Sequence, residues 1–249
     1  MSILKSPDRW TMKERVLAVL DGKQPDRLPF IDRIEIWYKG MQARETMPQE
    51  YAGMSLNEVH KAVGIGREKF SIPYALKLRG VDMRISFEDE LIYRETDPDV
   101  RYFPAQYSPD EIPRNKPGTS IVEYNTPVGS VSVSYVFAES MISLSGMEPY
   151  MTTHLIKEPA DYRTIEYILE RAEFVPLYAE FEAEEKEVGS HGLVVPSIHR
   201  IPFQQALLEY LGEMSLFQAL YDSIHELNRL IHILDQQMVD ILNRLAETD

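Results

Sequence analysis

Two charged residues directly after an apolar run form the first candidate site for chemistry. Asp32 and Arg33 follow Leu28 to Ile31, which is predicted to be a strand because Pro-Asp-Arg precedes it as a turn. A carboxylate at a strand end can transfer a proton, and a neighbouring guanidinium can orient a carboxylate or methoxy group. We therefore predict catalytic roles for Asp32 and Arg33. The alternative is an ion pair that only closes the end of the sheet.

A second pair of this kind, His199 and Arg200, follows the apolar run Gly192 to Ile198. An imidazole beside a guanidinium is expected to have a lowered pKa, so His199 would stay neutral and could act as a base or as a metal ligand. We predict His199 as catalytic and Arg200 as substrate-binding. The alternative for His199 is a hydrogen bond to a neighbouring backbone group.

Aromatic and acidic residues after the first strand are candidates for a substrate pocket. Glu35, Trp37 and Tyr38 lie close to Asp32 and Arg33 in the sequence. An indole and a phenol beside a carboxylate could bind an aromatic substrate, although Trp and Tyr on a short helix equally fit a packing role. We predict these residues as substrate-binding.

The composition limits the classes of function. The chain has 249 residues and a formal net charge of -14, with 40 acidic and 26 basic residues, and it has no cysteine. The acidic surplus argues against nucleic-acid partners, and the missing thiols rule out disulfides and thiolate metal sites within these residues. No apolar run approaches the roughly 20 residues that span a bilayer, and the N-terminus lacks a signal-peptide pattern. The sequence therefore predicts a cytoplasmic protein without a membrane partner.

Periodicity and punctuation predict the elements that must position these residues. A short helix ends at Gly22, helices are expected from Pro159 and over Val175 to Val188, and apolar spacing continues from Ser215 to Ala246. Ser223 and Glu226 allow a break within this last segment. Ser120 to Asn125 and Gly129 to Phe137 read as two strands, and the alternation of apolar and polar residues in the second predicts an antiparallel hairpin. We expect one domain over residues 1–249, with a β-rich hairpin insertion at 84–137.

Four segments carry a resemblance to a known family. In chain order they are RVLAVLDGKQPDRLPF, YNTPVGSV, LIKEPADYRTIEYILE and HRIPFQQALLEYLG. Together they resemble the uroporphyrinogen decarboxylase superfamily, and most closely its branch of corrinoid-dependent methyltransferases and O-demethylases. The resemblance implies an α/β fold of the TIM-type (β/α) barrel. It covers the N-terminal part of the family only, so the expected barrel is incomplete, with about three βα units.

The resemblance also implies an activity and two further substrate-binding residues. Asp89 is nearest to the family's aspartate after the second strand, and Phe203 matches an aromatic residue after the third. The implied reaction moves a methyl group from a small methoxylated or methylated substrate to a corrinoid (cobalamin) held by a partner protein. The family's His-x-Cys zinc motif cannot form without cysteine, and zinc dependence is left open.

Two alternatives to the methyltransferase remain. One is uroporphyrinogen decarboxylase itself, a carboxy-lyase of tetrapyrrole biosynthesis. Asp32 and Glu35 argue against it, because they would repel a polyanionic porphyrinogen where the decarboxylases place arginines. The other is a catalytically inactive fragment that acts through association, either as a homo-oligomer or with a complementing half of the barrel.

Overall fold

The computed structural model describes residues 10–103, 109–142 and 148–247, which form two compact units. Unit 1 contains residues 10–73 and 177–197, and unit 2 contains residues 74–103, 109–142, 148–176 and 198–247. The helices are α1 Met12–Leu20, α2 Glu35–Ala43, α3 Leu56–Val63, α4 Glu139–Ile142, α5 Pro159–Arg171, α6 Tyr178–Val188, α7 Pro202–Gln205, α8 Glu213–Asp222 and α9 Ile224–Ala246.

The strands alternate with these helices in unit 1 and cluster in unit 2. They are β1 Ile31–Asp32, β2 Gly66–Ser71, β3 Tyr74–Leu78, β4 Asp82–Phe87, β5 Glu90–Thr96, β6 Asp99–Val100, β7 Gly118–Thr126, β8 Gly129–Phe137, β9 Tyr150–Thr153, β10 Ala172–Pro176 and β11 Gly192–Pro196. Short 3-10 turns lie at Gln49–Tyr51 and Gly189–His191, and a π-helical segment lies at Ala206–Leu211.

Unit 1 is built around a parallel sheet with the strand order β1-β2-β11. Glycine permits close approach at two places in this sheet. A side chain at Gly66 would meet those of Ile31 and Met12 at 2.4 Å, and one at Gly192 would lie 1.8 Å from the carbonyl oxygen of Arg67. The absence of a Cβ atom at both positions allows the strands to pair at their observed spacing.

Unit 2 is mainly antiparallel and contains most of the buried apolar side chains. One sheet has the order β5-β4-β7-β8-β9, and a smaller one has the order β10-β3-β6. Strands β7 and β8 form the predicted antiparallel hairpin, with Val131, Val133 and Tyr135 buried on one face. Helix α5 buries Ile165 and Ile168 and contacts α9. The long apolar segment is divided at Ser223 into α8 and α9, as the sequence allowed, although the Ser223 side chain caps neither helix.

Several predicted boundaries change in the structure. Strand β1 begins at Ile31, and Leu28 is 87% exposed. Pro29 has no N–H group to donate to a sheet, which explains the late start. Residue Val175 belongs to β10, which pairs with β3, so strand pairing there overrides the helical pattern and α6 begins only at Tyr178.

The architecture is mixed α/β, and no closed barrel is formed by the described residues. None of the helices in residues 10–103, 109–142 and 148–247 combines the length and apolar character needed to cross a membrane.

Candidate active site

A buried histidine in unit 2 is held by aromatic side chains. His199 is 8% exposed, and its Nδ1 atom lies 2.8 Å from the hydroxyl of Tyr74, at the start of β3. The Tyr102 ring meets the imidazole edge-on, with 5.0 Å between ring centroids. The imidazole is therefore fixed in position, while its Nε2 atom is buried without a hydrogen-bond partner.

The same burial sets the protonation state of His199. Loss of solvation lowers its pKa to about 4, and no neighbouring charge contributes to this shift. The lowered pKa predicted from the sequence is confirmed, but its cause is burial rather than the charge of Arg200. The direction of the bond between Tyr74 and Nδ1 depends on the tautomer: in the tautomer with its proton on Nε2, Nδ1 accepts from the Tyr74 hydroxyl. The histidine can then present an N–H group at neutral pH.

A buried carboxyl group, Glu209, lies beside Arg200. Glu209 is 3% exposed, and 3.3 Å separates its Oε1 atom from Nε of Arg200. Burial raises the pKa of Glu209 to about 7, and the Arg200 charge opposes part of that rise. The second carboxylate oxygen, Oε2, is buried and has no hydrogen-bond partner. A carboxyl group with a pKa near 7 can both donate and accept a proton at neutral pH.

The surroundings of Glu209 explain why its carboxyl group is poorly solvated. Burial is the main cause of the raised pKa of the phenols Tyr135 and Tyr210, and the Glu209 charge adds to it, so the carboxyl group lies close to both. The Tyr210 hydroxyl donates to the carbonyl oxygen of Phe103 at 2.7 Å, and is therefore engaged elsewhere. Glu209 also lies in the π-helical segment Ala206–Leu211. Single π-helical turns occur frequently at functional sites.

In unit 1, the structure brings Arg33 and Glu35 together beside the end of β1. The Arg33 guanidinium lies 5.0 Å above the Phe70 ring and 3.9 Å from the Glu35 carboxylate. The Asp32 carboxylate accepts a hydrogen bond from the Arg33 backbone N–H at 2.7 Å, and the Asp32 side chain is exposed. Glu35 Oε2 is buried without a hydrogen-bond partner. These residues form a charged group at a strand end, as predicted, and their catalytic role stays a prediction.

The predicted aromatic pocket residues of unit 1 make packing contacts. Trp37 meets Tyr51 edge-on at 6.2 Å between ring centroids. The Tyr38 hydroxyl donates to the carbonyl oxygen of Met54 at 2.7 Å. The structure therefore engages both side chains inside unit 1, which agrees with the alternative packing role, and their substrate contact remains a prediction.

The two residues carried over from the family resemblance lie in exposed positions. Asp89 occupies the turn between β4 and β5 with a φ of 66°, a conformation that Asp tolerates well. Phe203 lies in α7 and is 46% exposed.

No known family model, curated protein or solved structure matches this chain. Within residues 10–103, 109–142 and 148–247, no group of three or more His, Asp and Glu side chains is arranged to hold a metal ion.

Sequence reasoning missed Tyr74, Tyr102 and Glu209. The missed glutamate had a signal, because it interrupts the apolar segment Ala206–Leu211, where a charged side chain has no obvious route to solvent. Tyr74 and Tyr102 had no such signal in the sequence, because only strand pairing and loop packing in the folded chain bring them next to His199.

Proposed function

We propose that the chain is a cytoplasmic enzyme of the uroporphyrinogen decarboxylase superfamily, in the branch that transfers methyl groups to a corrinoid protein. The fold part of the proposal is an incomplete (β/α) barrel. Its support is the parallel sheet of unit 1, where β1, β2 and β11 are neighbours in their chain order. Helices separate these strands along the chain. Strands β1 and β2, with α2 and α3 between them, match the repeating unit of such a barrel, and β11 joins the sheet after the strands of unit 2.

The observation that carries the activity is the raised pKa of Glu209, together with its unpartnered Oε2 atom. Demethylation of a methoxy group needs a general acid, because the departing oxygen is a poor leaving group unless it receives a proton. A carboxylic acid with a pKa of about 7 is partly protonated at neutral pH and can supply that proton. An ordinary exposed glutamate, with a pKa near 4.3, cannot.

In the proposed step, the bond between the methyl carbon and the substrate oxygen breaks. The proton moves from Glu209 to that oxygen, and Arg200 stabilises the carboxylate that remains. His199 donates a hydrogen bond from Nε2 to orient the substrate. A corrinoid carried by the partner protein would supply the electron pair that accepts the methyl group.

The direct test uses purified protein, a Co(I) corrinoid as the methyl acceptor and a panel of small methoxylated aromatic compounds. The expected result is a substrate-dependent change in the corrinoid absorption spectrum. Glu209→Gln should lower the rate by roughly 10² to 10⁴-fold, the usual contribution of general acid catalysis. The exposed Glu213 provides a matched control, and Glu213→Gln should leave the rate unchanged.

The same protein should be incubated with uroporphyrinogen. Formation of coproporphyrinogen would overturn the methyltransferase assignment in favour of the decarboxylase. Methyl transfer that is unaffected by Glu209→Gln would remove the role proposed for this residue.

A second candidate function is association, supported by an apolar stripe on α8. Met214, Phe217 and Tyr221 recur at helical spacing and are 73%, 59% and 87% exposed. Exposed apolar side chains at this spacing are typical of a helix face that binds another protein surface. We propose that this stripe forms a homo-oligomer contact. Light scattering should then show an oligomer that Tyr221→Ser dissociates, whereas a monomeric wild type would contradict the proposal.

A further inference from the structure

A cavity in unit 2 lies apart from the residues assigned to proton transfer. It has a volume of about 170 Å³, well above the roughly 10–15 Å³ that one water molecule needs. Helices α5, α8 and the start of α9 contribute to it, and we call it the α5–α8 cavity. Its polar lining residues include Lys157, Glu158, Tyr162, Gln218, Asp222 and Ser223.

One lining side chain has an unused hydrogen-bonding group. Tyr162 is 3% exposed, and its hydroxyl has no hydrogen-bond partner in the described structure. Burial is the main cause of the raised pKa of Tyr162. The Ser223 side chain is close enough to the phenol oxygen to lower this pKa, although the two groups form no hydrogen bond of regular geometry, and the Glu226 charge raises it. A buried hydroxyl without a partner is costly, and a ligand that bonds to it removes that cost.

The charges around the cavity favour a cation. Glu158 and Asp222 bring two carboxylates, and Asp222 ends α8, where the helix dipole adds negative potential. The single cationic side chain, Lys157, donates its ammonium protons to the carbonyl oxygen of Ser132.

An anion would find few free donors at the neighbouring helix end. The Asp161 carboxylate already accepts hydrogen bonds from the backbone N–H groups of Lys157 and Glu158, at 2.7 and 3.0 Å. The positive end of α5 is therefore occupied by a carboxylate of the chain itself.

We propose that the α5–α8 cavity binds a small primary ammonium compound, with the Tyr162 oxygen and the Asp222 carboxylate as hydrogen-bond acceptors. Gln218 and Ser223 can bond to a hydroxyl or amide on the same ligand. The site does not depend on the proposed methyltransferase activity, because none of its residues is assigned to proton transfer.

The test is calorimetric titration of the full chain with ethanolammonium, with acetate and glycerol as anionic and neutral probes of similar size. Saturable binding of ethanolammonium is expected, without binding of acetate at the same concentration. Asp222→Asn and Tyr162→Phe should each weaken binding about tenfold. Asp235→Asn changes an exposed aspartate on α9 and should have no effect.

The proposal would be overturned if ethanolammonium did not bind at millimolar concentrations, or if acetate bound equally well. Binding unchanged in both Asp222→Asn and Tyr162→Phe would also overturn it. Tyr162→Phe keeps the buried ring, and thermal unfolding of each variant shows whether a loss of binding comes from a loss of folding.

Discussion

Two buried residues of the candidate active site respond to pH in opposite directions. The pKa of Glu209 is raised to about 7, so the folded state holds a proton that the unfolded state releases above about pH 4.5. The pKa of His199 is lowered to about 4, so between about pH 4 and 6.5 the unfolded state holds a proton that the folded state has released. The Glu209 contribution to the free energy of unfolding therefore falls as the pH rises from 4.5 to 7, whereas the His199 contribution rises between 4 and 6.5. Because the two contributions have opposite slopes, they partly cancel in the free energy of unfolding of the wild-type protein.

Glu209→Gln should expose the histidine contribution. Without the titrating carboxyl group, the free energy of unfolding should rise relative to wild type between pH 4.5 and 7. The expected gain is on the order of 3 kcal/mol, from 1.36 kcal/mol for each pKa unit. Urea unfolding of both proteins across this pH range measures the difference. Glu213→Gln is the matched control, and a constant difference between wild type and Glu209→Gln would contradict the raised pKa.

His199→Gln should expose the glutamate contribution, while the amide keeps a polar partner for the Tyr74 hydroxyl. The free energy of unfolding of this variant should fall continuously from pH 4.5 to 7, because the opposing rise is removed. Urea unfolding at intervals of half a pH unit would show this slope. His225 is exposed on α9, so His225→Gln should reproduce the wild-type profile. A His199→Gln profile that matches wild type would mean that His199 does not have a lowered pKa.

At the scale of the elements, the parallel sheet of unit 1 depends on a missing side chain. Strand β11 pairs with β2 in parallel, with Gly192 opposite Arg67. The space that a Cβ atom at Gly192 would need is occupied by the carbonyl oxygen of Arg67, which is backbone and cannot rotate away. The two strands must separate or slip if any other residue replaces this glycine.

Gly192→Ala should therefore destabilise unit 1 by more than about 2 kcal/mol, the size typical of a substitution that forces the backbone apart. Circular dichroism during urea unfolding measures the loss. Ser190→Ala, in the exposed turn before β11, should change the free energy of unfolding by less than about 0.5 kcal/mol. An unchanged stability of Gly192→Ala would show that β11 does not pair with β2 in this register.

Across the whole molecule, the buried apolar residues are distributed unevenly. In the described part of the chain, unit 1 contributes Met12, Ala18, Val59 and Val188 to the set of buried apolar residues, and unit 2 contributes all the others. Unit 1 also exposes large apolar side chains such as Leu28, at 87%, and Phe30, at 59%. Parallel sheets are normally covered on both faces, and this sheet has little apolar cover of its own. Unit 1 should therefore open more readily than unit 2.

Hydrogen exchange should show this difference directly. The amides of β4, β7 and β8, which belong to the five-stranded sheet, should exchange more slowly than those of β2 and β11. We expect the exchange rates of the two groups of strands to differ by at least about tenfold, which corresponds to about 1.4 kcal/mol of opening free energy. Fragment-resolved exchange measured by mass spectrometry can separate these strands. Equal protection in the two groups of strands would indicate that the units open together.

The sequence alone determined the elements whose signals are local. Pro159 as a helix start, the alternation in Gly129–Phe137 and the apolar spacing of Ile224–Ala246 each predict the element that is found. Strands β2, β3 and β10 had no such signal, because partner strands distant in the sequence stabilise them.

The candidate site divides in the same way. His199, Arg33 and Glu35 were identified from the sequence, since charged residues after apolar runs are visible without a structure. Only the tertiary structure shows that the Tyr74 hydroxyl lies next to the His199 ring and that Glu209 is buried beside Arg200. It also produced both pKa shifts, because loss of solvation depends on how completely the folded chain surrounds a side chain. Residue types and spacing set which groups are available for chemistry, and burial decides their protonation states.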